Sequence, residues 1–111
     1  MPIQDILNGR LTRDMNFHEK VWTLVARIPS GKVTTYGQIA RKLNSRAYRA
    51  VGAALHRNPY APQVPCHRVV GADGLLTGFA RGLEAKRRML RKEGVPMIGD
   101  RVDLSACLFS P

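Results

Sequence analysis

The chain has 111 residues and a formal net charge of +10, enough for one domain with one modest core and too little for two. Its composition, 44% hydrophobic and 23% charged, excludes a disordered chain. No apolar run approaches the ~18 residues of a membrane helix, and the opening MPIQDILNGR lacks the apolar stretch of a secretory signal.

An intracellular protein without membrane attachment is therefore expected. The basic charge is concentrated: no carboxylate falls between Glu19 and Asp73, while Lys20, Arg27, Lys32, Arg41, Lys42, Arg46, Arg49, Arg57 and Arg68 all do. Such a block attracts polyanions, and nucleic acid is the leading partner. The two cysteines, Cys66 and Cys107, form no CxxC pair and imply no disulfide framework. A zinc site drawing on them and on His18, His56 or His67 has weak spacing, so no metal is expected.

Residues 1–16 show no period and are expected as a loosely packed lead-in, with residues 17–111 forming the domain proper. Asn16 and Glu19 have capping-box spacing, and Phe17, Val21, Leu24, Val25 and Ile28 recur at helical intervals, so a helix is expected to about Arg27, with Trp22 packed or half-buried. After a Pro-Ser-Gly turn and a short extended piece at Val33, Thr35 with Gln38 starts a second helix to about Leu43. Ser45 is expected to cap a third, RAYRAVGAALHR. Two short helices joined by a tight turn read as a helix-turn-helix. On its second helix Ala50, Gly52, Ala53 and Ala54 permit close approach of another surface. Arg46 and Arg49 stand at the end where the helix dipole is already positive, an arrangement that a phosphate or a DNA groove compensates.

NPYAPQVP, with three prolines, is a stiff loop that delivers the chain into PCHRVVG. Val69 and Val70 suggest a short buried strand, GADG a turn, and LEAKRRMLRKEG a last helix stopped by Gly94, with Leu83, Met89 and Leu90 facing the core and Lys86, Arg87, Arg88, Arg91 and Lys92 mostly solvated. The tail alternates around Val102 and Leu104 and carries no evident chemistry; Cys107 is expected as a passive thiol. The fold class expected is mainly α with a very small sheet from the Val33 and Val69 regions, winged-helix-like.

A thiol is a nucleophile only as thiolate, which a cationic neighbour or a base favours. Cys66 has His67 and Arg68 beside it, but neighbours on a strand point to opposite faces, and contact then needs a relay. Local chemistry leaves two readings of Cys66 open, nucleophile and buried inert cysteine.

PCHRVVG, preceded by GKVTTYGQIA and RAVGAALHRNP and followed by GFARGLEAKRRMLRKEG, resembles the C-terminal domain of O6-alkylguanine-DNA alkyltransferases over about Phe17 to Gly94. The resemblance implies irreversible transfer of an alkyl group from guanine O6 to Cys66, with His67 acting as base through an ordered water and Glu93 orienting it. It implies that Asn58 braces the active-site turn, that Tyr36 hydrogen-bonds the flipped base, and that Arg49 replaces the extruded nucleotide. Leu55, Val69, Phe79, Ala80 and Lys86 would line the base pocket. Thr35, Tyr36, Gln38, Arg46, Ala47, Ala50, Gly52 and Ala53 would meet DNA with Arg49, in the minor groove and without sequence reading. The implied partner is double-stranded DNA containing O6-alkylguanine, bound by a monomer, with no cofactor.

Most members of that family carry a further N-terminal domain, whereas only a short lead-in precedes Phe17, so a single-domain form is expected. Phe79 stands where the family commonly has Tyr, and the glycine-rich pair that follows is Arg81 and Gly82. The tail GDRVDLSACLF resembles alkyltransferase-like proteins, single-domain relatives that bind alkylated DNA without transfer and typically replace the PCHR cysteine. Retention of Cys66, His67, Asn58 and Glu93 favours transfer over a lesion-binding module. A helix-turn-helix transcription factor, the third possibility, would leave those residues idle.

Overall fold

Residues 1–16 are not a loose lead-in: they contain a helix, α1 (Ile3–Leu7), in the computed structural model, which describes residues 3–77 and 82–111. Ile3, Ile6 and Leu7 share one face, but a single turn is too short to display a period. Ile6 is fully buried and Met15 nearly so, both in the same core as α2 (Phe17–Ala26). The Nε of Arg27 donates to the Gly9 carbonyl at 2.8 Å, tying the turn after α1 to the end of α2.

α2 starts as its capping box requires, with the Asn16 side chain accepting from the Glu19 amide and the Glu19 carboxylate from the Asn16 amide, both at 2.9 Å. Its Val21, Leu24 and Val25 are buried, and Trp22 is half-buried. The Trp22 indole N–H donates to the Ala54 carbonyl at 2.7 Å, and its ring meets Tyr60 edge-on, centroids 5.7 Å apart.

β1 (Thr34–Thr35) runs straight into α3 (Tyr36–Lys42), where the Thr35 hydroxyl accepts from the Gln38 amide as expected of an N-cap. The next helix, α4, is Tyr48–His56 and begins later than RAYR suggested. Ser45 does not cap it; its hydroxyl accepts from the Ala47 amide instead, a local turn that holds Arg46 and Ala47 outside the helix. Ile39 and Ala40 of α3 and Val51, Ala54 and Leu55 of α4 join the α2 core.

β2 (Val69–Val70) pairs in parallel with β1, Thr34 opposite Val69 and Thr35 opposite Val70. Successive strand residues face opposite ways, and so Val69 belongs to the helical core while Val70 belongs to a second one with Val33, Leu76, Leu90, Val95, Val102 and Cys107. That second core packs under α5 (Leu83–Lys92), which Gly94 ends in the left-handed region at φ 81°.

Two assignments on α5 are corrected. Leu83, expected in the core, is 47% exposed, and Lys86, expected in solvent, is 1% exposed. Lys86 lies one turn before buried Leu90 on the inner face, where its ammonium finds carbonyl acceptors that stand in for water.

The tail is structured. An antiparallel pair, β3 (Met97–Ile98) and β4 (Arg101–Val102), is followed by α6 (Leu104–Cys107), whose cap Asp103 accepts from the Ser105 amide. Backbone bonds from Val33 to Cys107 and from Phe109 to Val33 dock it along Val33. Gly74, at φ 85°, accepts from the Val102 amide, and a Cβ there would collide with the Val102 carbonyl oxygen. The architecture is thus mainly helical with two small sheets, the second absent from the expectation. Among the described residues no helix is long and apolar enough to cross a membrane.

Because Ile6 is fully buried, Ile6→Ala should cost about 2–4 kcal/mol of stability, read as a lower urea midpoint with an unchanged slope. A loosely packed lead-in would leave the midpoint where it is.

Candidate active site

Asn58 closes the proline loop. Its side-chain amide donates to the Val64 carbonyl at 2.8 Å while its oxygen accepts from the Tyr60 amide at 2.8 Å. The loop so held leads into a 3-10 turn, Cys66–Arg68, with the Cys66 amide on the Val64 carbonyl and the Arg68 amide on that of Pro65. The strand geometry expected around Cys66 and His67 is therefore corrected: a turn with three residues per revolution fans consecutive side chains about 120° apart rather than to opposite faces. Cys66 is partly accessible, and His67 and Arg68 turn inward.

Both inward groups meet Glu93, the residue that caps α5. His67 Nε2 stands 3.0 Å from Glu93 Oε2. Arg68 grips the same carboxylate with two nitrogens, Nε to Oε1 at 2.9 Å and Nη2 to Oε2 at 2.6 Å, and its Nη1 donates to the Ile28 carbonyl at 2.7 Å. This fork is the strong, directional form of an ion pair.

Burial holds the His67 imidazole below its ordinary 6.5, against the opposing pull of Glu93, so the ring is neutral near neutral pH. Burial also opposes ionisation of Glu93, but the hydrogen bonds from Arg68 and His67 and their charges together outweigh it and keep the carboxyl below its usual range. An ionised Glu93 accepts from Nε2–H, which leaves the lone pair on Nδ1 of His67.

On the other side of the thiol, Lys86 Nζ donates to the Val69 and Thr77 carbonyls at 2.6 and 2.7 Å. Burial pulls this ammonium down to about 8, and Cys66 is close enough for its charge to oppose the shift. The Thr77 hydroxyl in turn donates to Tyr36 Oη at 3.0 Å. Tyr36, Thr77 and Lys86 are thus joined by hydrogen bonds.

Of the expected pocket residues, Leu55 and Val69 are buried core, and Phe79 and Ala80 lie outside the described residues. Of the expected DNA-facing residues, Arg46, Ala47, Arg49 and Ala53 are exposed, Tyr36, Gln38, Ala50 and Gly52 half-buried, and Thr35 is buried with its hydroxyl occupied as a cap. Arg68 and Thr77 had been given no part in the site; their partners lie 25 and 41 residues away in sequence, beyond any local pattern. Among the described residues no three His, Cys, Asp or Glu side chains are grouped to hold a metal ion.

The sequence model of the 6-O-methylguanine DNA methyltransferase DNA-binding domain matches residues 16–95. The methylated-DNA-protein-cysteine methyltransferase of Methanosarcina mazei is 53% identical over 78 residues, 69% of this chain. The chain belongs to the 6-O-methylguanine DNA methyltransferase family. The enzyme of the same description from Haemophilus influenzae is 45% identical over 83 residues, 74% of this chain. The chain spans about half the length of these curated relatives, 49% and 46% respectively. The Mycobacterium tuberculosis OGT in complex with DNA superposes with a TM-score of 0.68 at 40% identity, over 82% of this chain and 62% of that one. Schizosaccharomyces pombe Atl1, in complex with damaged DNA containing O6-carboxymethylguanine, has a TM-score of 0.72 at 31% identity, over 86% of this chain and 95% of that one.

Removing the Glu93 charge removes what supports protonation of His67, so Glu93→Gln should lower the imidazole pKa further, followed by nitrogen-detected NMR titration. Arg68→Ala should cost about 2–3 kcal/mol, since it strips charged hydrogen bonds from a largely buried carboxylate and orphans the Ile28 carbonyl. Equal stability of Arg68→Ala and the parent would contradict the fork.

Proposed function

We propose that this chain repairs DNA directly, taking an alkyl group from O6 of guanine in a duplex onto Cys66 in a single irreversible turnover. One observation carries the reading: a partly accessible thiol shares a rigid turn with a neutral imidazole anchored on an ionised carboxylate. The family relationship and the solved complexes of its members with DNA support it.

Residues 17–111 act as the DNA-binding and active-site domain, a winged-helix-like unit in which α3 and α4 are the helix-turn-helix. The small residues Ala47, Ala50, Gly52 and Ala53 let α4 approach the floor of the minor groove, and Arg46, with Gln38 on the first turn of α3, meets phosphate. Thr35 contributes by capping that turn. Arg49 occupies the stack vacated by the target base, which is turned out because its O6 cannot be reached inside the duplex. Leu55 and Val69 back the base pocket from the core.

The chemistry balances as follows. The Cys66 proton passes through water to Nδ1 of His67, and Glu93 stabilises the imidazolium. The sulfur then attacks the alkyl carbon opposite O6; the S–C bond forms, the C–O6 bond breaks, and its electron pair stays on guanine. The guanine anion recovers a proton through the Tyr36 hydroxyl, which is resupplied from water, and His67 returns the thiol proton to water. Lys86, held on two carbonyls, presents positive charge to the developing thiolate. The protein works as an intracellular monomer and needs no cofactor.

The extent of the match to Atl1, 95% of that chain, favours one second reading: a module that binds O6-alkylguanine and flags it without transfer.

Incubation with a duplex carrying O6-methylguanine should add one CH2 to the Cys66 peptide, at one equivalent per chain, and Cys66→Ala should abolish the gain. Lesion-selective binding with an unmodified peptide would establish the second reading instead. A protonated imidazole cannot accept the thiol proton, so the single-turnover rate should fall with acid through a midpoint below 6.5, as the depressed His67 requires; a midpoint above 6.5 contradicts His67 as the base.

A further inference from the structure

On the outward side of α4 stand Tyr48, Arg49, Ala53 and His56, and Tyr48 is the large ring beside the arginine. Tyr48, beside Arg49, is 54% exposed. Its ring does not hang free: Cε1 lies 3.8 Å from the point where a Cβ on Gly37 would stand, so the ring rests on a flank of α3 that glycine leaves bare. An aromatic held at the surface, out of the core, offers a flat apolar face at little cost in conformational freedom.

That face borders a concavity of about 480 Å³, lined by Tyr36, Tyr48, Arg49, Gly52, His56 and Thr77. Two aromatic rings and a guanidinium plane are the groups on which any nucleobase stacks. Thr77 joins the concavity to the rest of the site, its hydroxyl donating to Tyr36 and its carbonyl accepting from Lys86. Five of the concavity's six lining residues, Tyr36, Tyr48, Arg49, Gly52 and His56, come from the stretch that bears no carboxylate, between Glu19 and Asp73, so a phosphodiester can approach its rim.

We propose that Tyr48 is a base-stacking residue, one wall of a vestibule that receives the extruded purine between the DNA groove and Cys66. Arg49 fills the gap in the duplex, and Tyr48 holds the base that left it. The inference rests on the transfer reading and adds a residue on which that reading does not depend.

The test is the single-turnover rate of methyl transfer from an O6-methylguanine duplex to the full chain and to Tyr48→Phe, Tyr48→Leu and Tyr48→Ala, with affinity for the unmodified duplex measured in parallel. Phe should stay within about twofold of the parent, while Leu and Ala should lose about fivefold or more, the low end of a base–aromatic stack at ~1 kcal/mol. Affinity for unmodified duplex should change less than about twofold, since phosphate contacts supply it. An unchanged rate in Tyr48→Ala, full retention by Leu, or an equal loss on unmodified duplex overturns the stacking role. So does a loss that vanishes once rates are corrected for the folded fraction, because Tyr48 then only supports α3. If the parent gains no methyl group, the transfer reading fails by itself; the same order of variants in selectivity for lesion over unmodified duplex would then sustain the stacking role, and no such order would end it.

Discussion

The carboxylate of Glu93 is shared by two consecutive residues of one turn, and the ionisation of Glu93 and His67 is settled together. Arg68 keeps the carboxyl charged despite burial, the charged carboxyl orients the His67 ring, and burial keeps that ring neutral. Withdrawing Arg68 or Glu93 leaves the other as a largely buried charge without its partner, the costliest defect a small core can carry. The third nitrogen of Arg68, on the Ile28 carbonyl, fastens the set to the stretch just after α2. The turn that bears the thiol is thereby tied to two distant parts of the chain, residue 28 and residue 93.

How the thiol comes to face outward depends on β2. Val69 points into the helical core and Val70 into the core completed by the tail, so the turn just before β2 emerges along the seam between the two. Asn58 sets the approach by clamping both ends of a loop whose prolines already restrict it. Lys86 closes the inner side by bonding carbonyls that β2 and the following loop leave free. His67, Glu93 and Lys86 are therefore held in place by the fold itself, as preorganisation of a site requires.

What could be read in the sequence was local. The caps at Asn16 and Thr35 and the stop at Gly94 involve partners within four residues, and each stands as its spacing indicated. Helix α1 escaped because one turn shows no period, and Ser45 misled because its hydroxyl bonds two residues ahead rather than capping α4. Lys86 was misplaced because a lysine on a basic helix is normally solvated, and nothing local reveals that two carbonyls from residues 69 and 77 converge on its ammonium. The pairing of His67 with Glu93 came from resemblance to a family, not from spacing, and the two stand 3.0 Å apart. Arg68 was visible only as one more charge, although its fork carries the arrangement. The side chains of Cys66 and His67 are fanned about a turn, not set on opposite faces of a strand, because a 3-10 turn occupies residues 66–68.

The reach of Arg68 to Ile28 also limits how this chemistry could be transplanted. Grafting the four letters PCHR onto a foreign scaffold would carry the sulfur and the imidazole but neither the acceptor after α2 nor the carboxylate at the end of α5. The geometry around PCHR therefore belongs to the stretch from residue 28 to residue 93, most of the protein, and not to the motif alone.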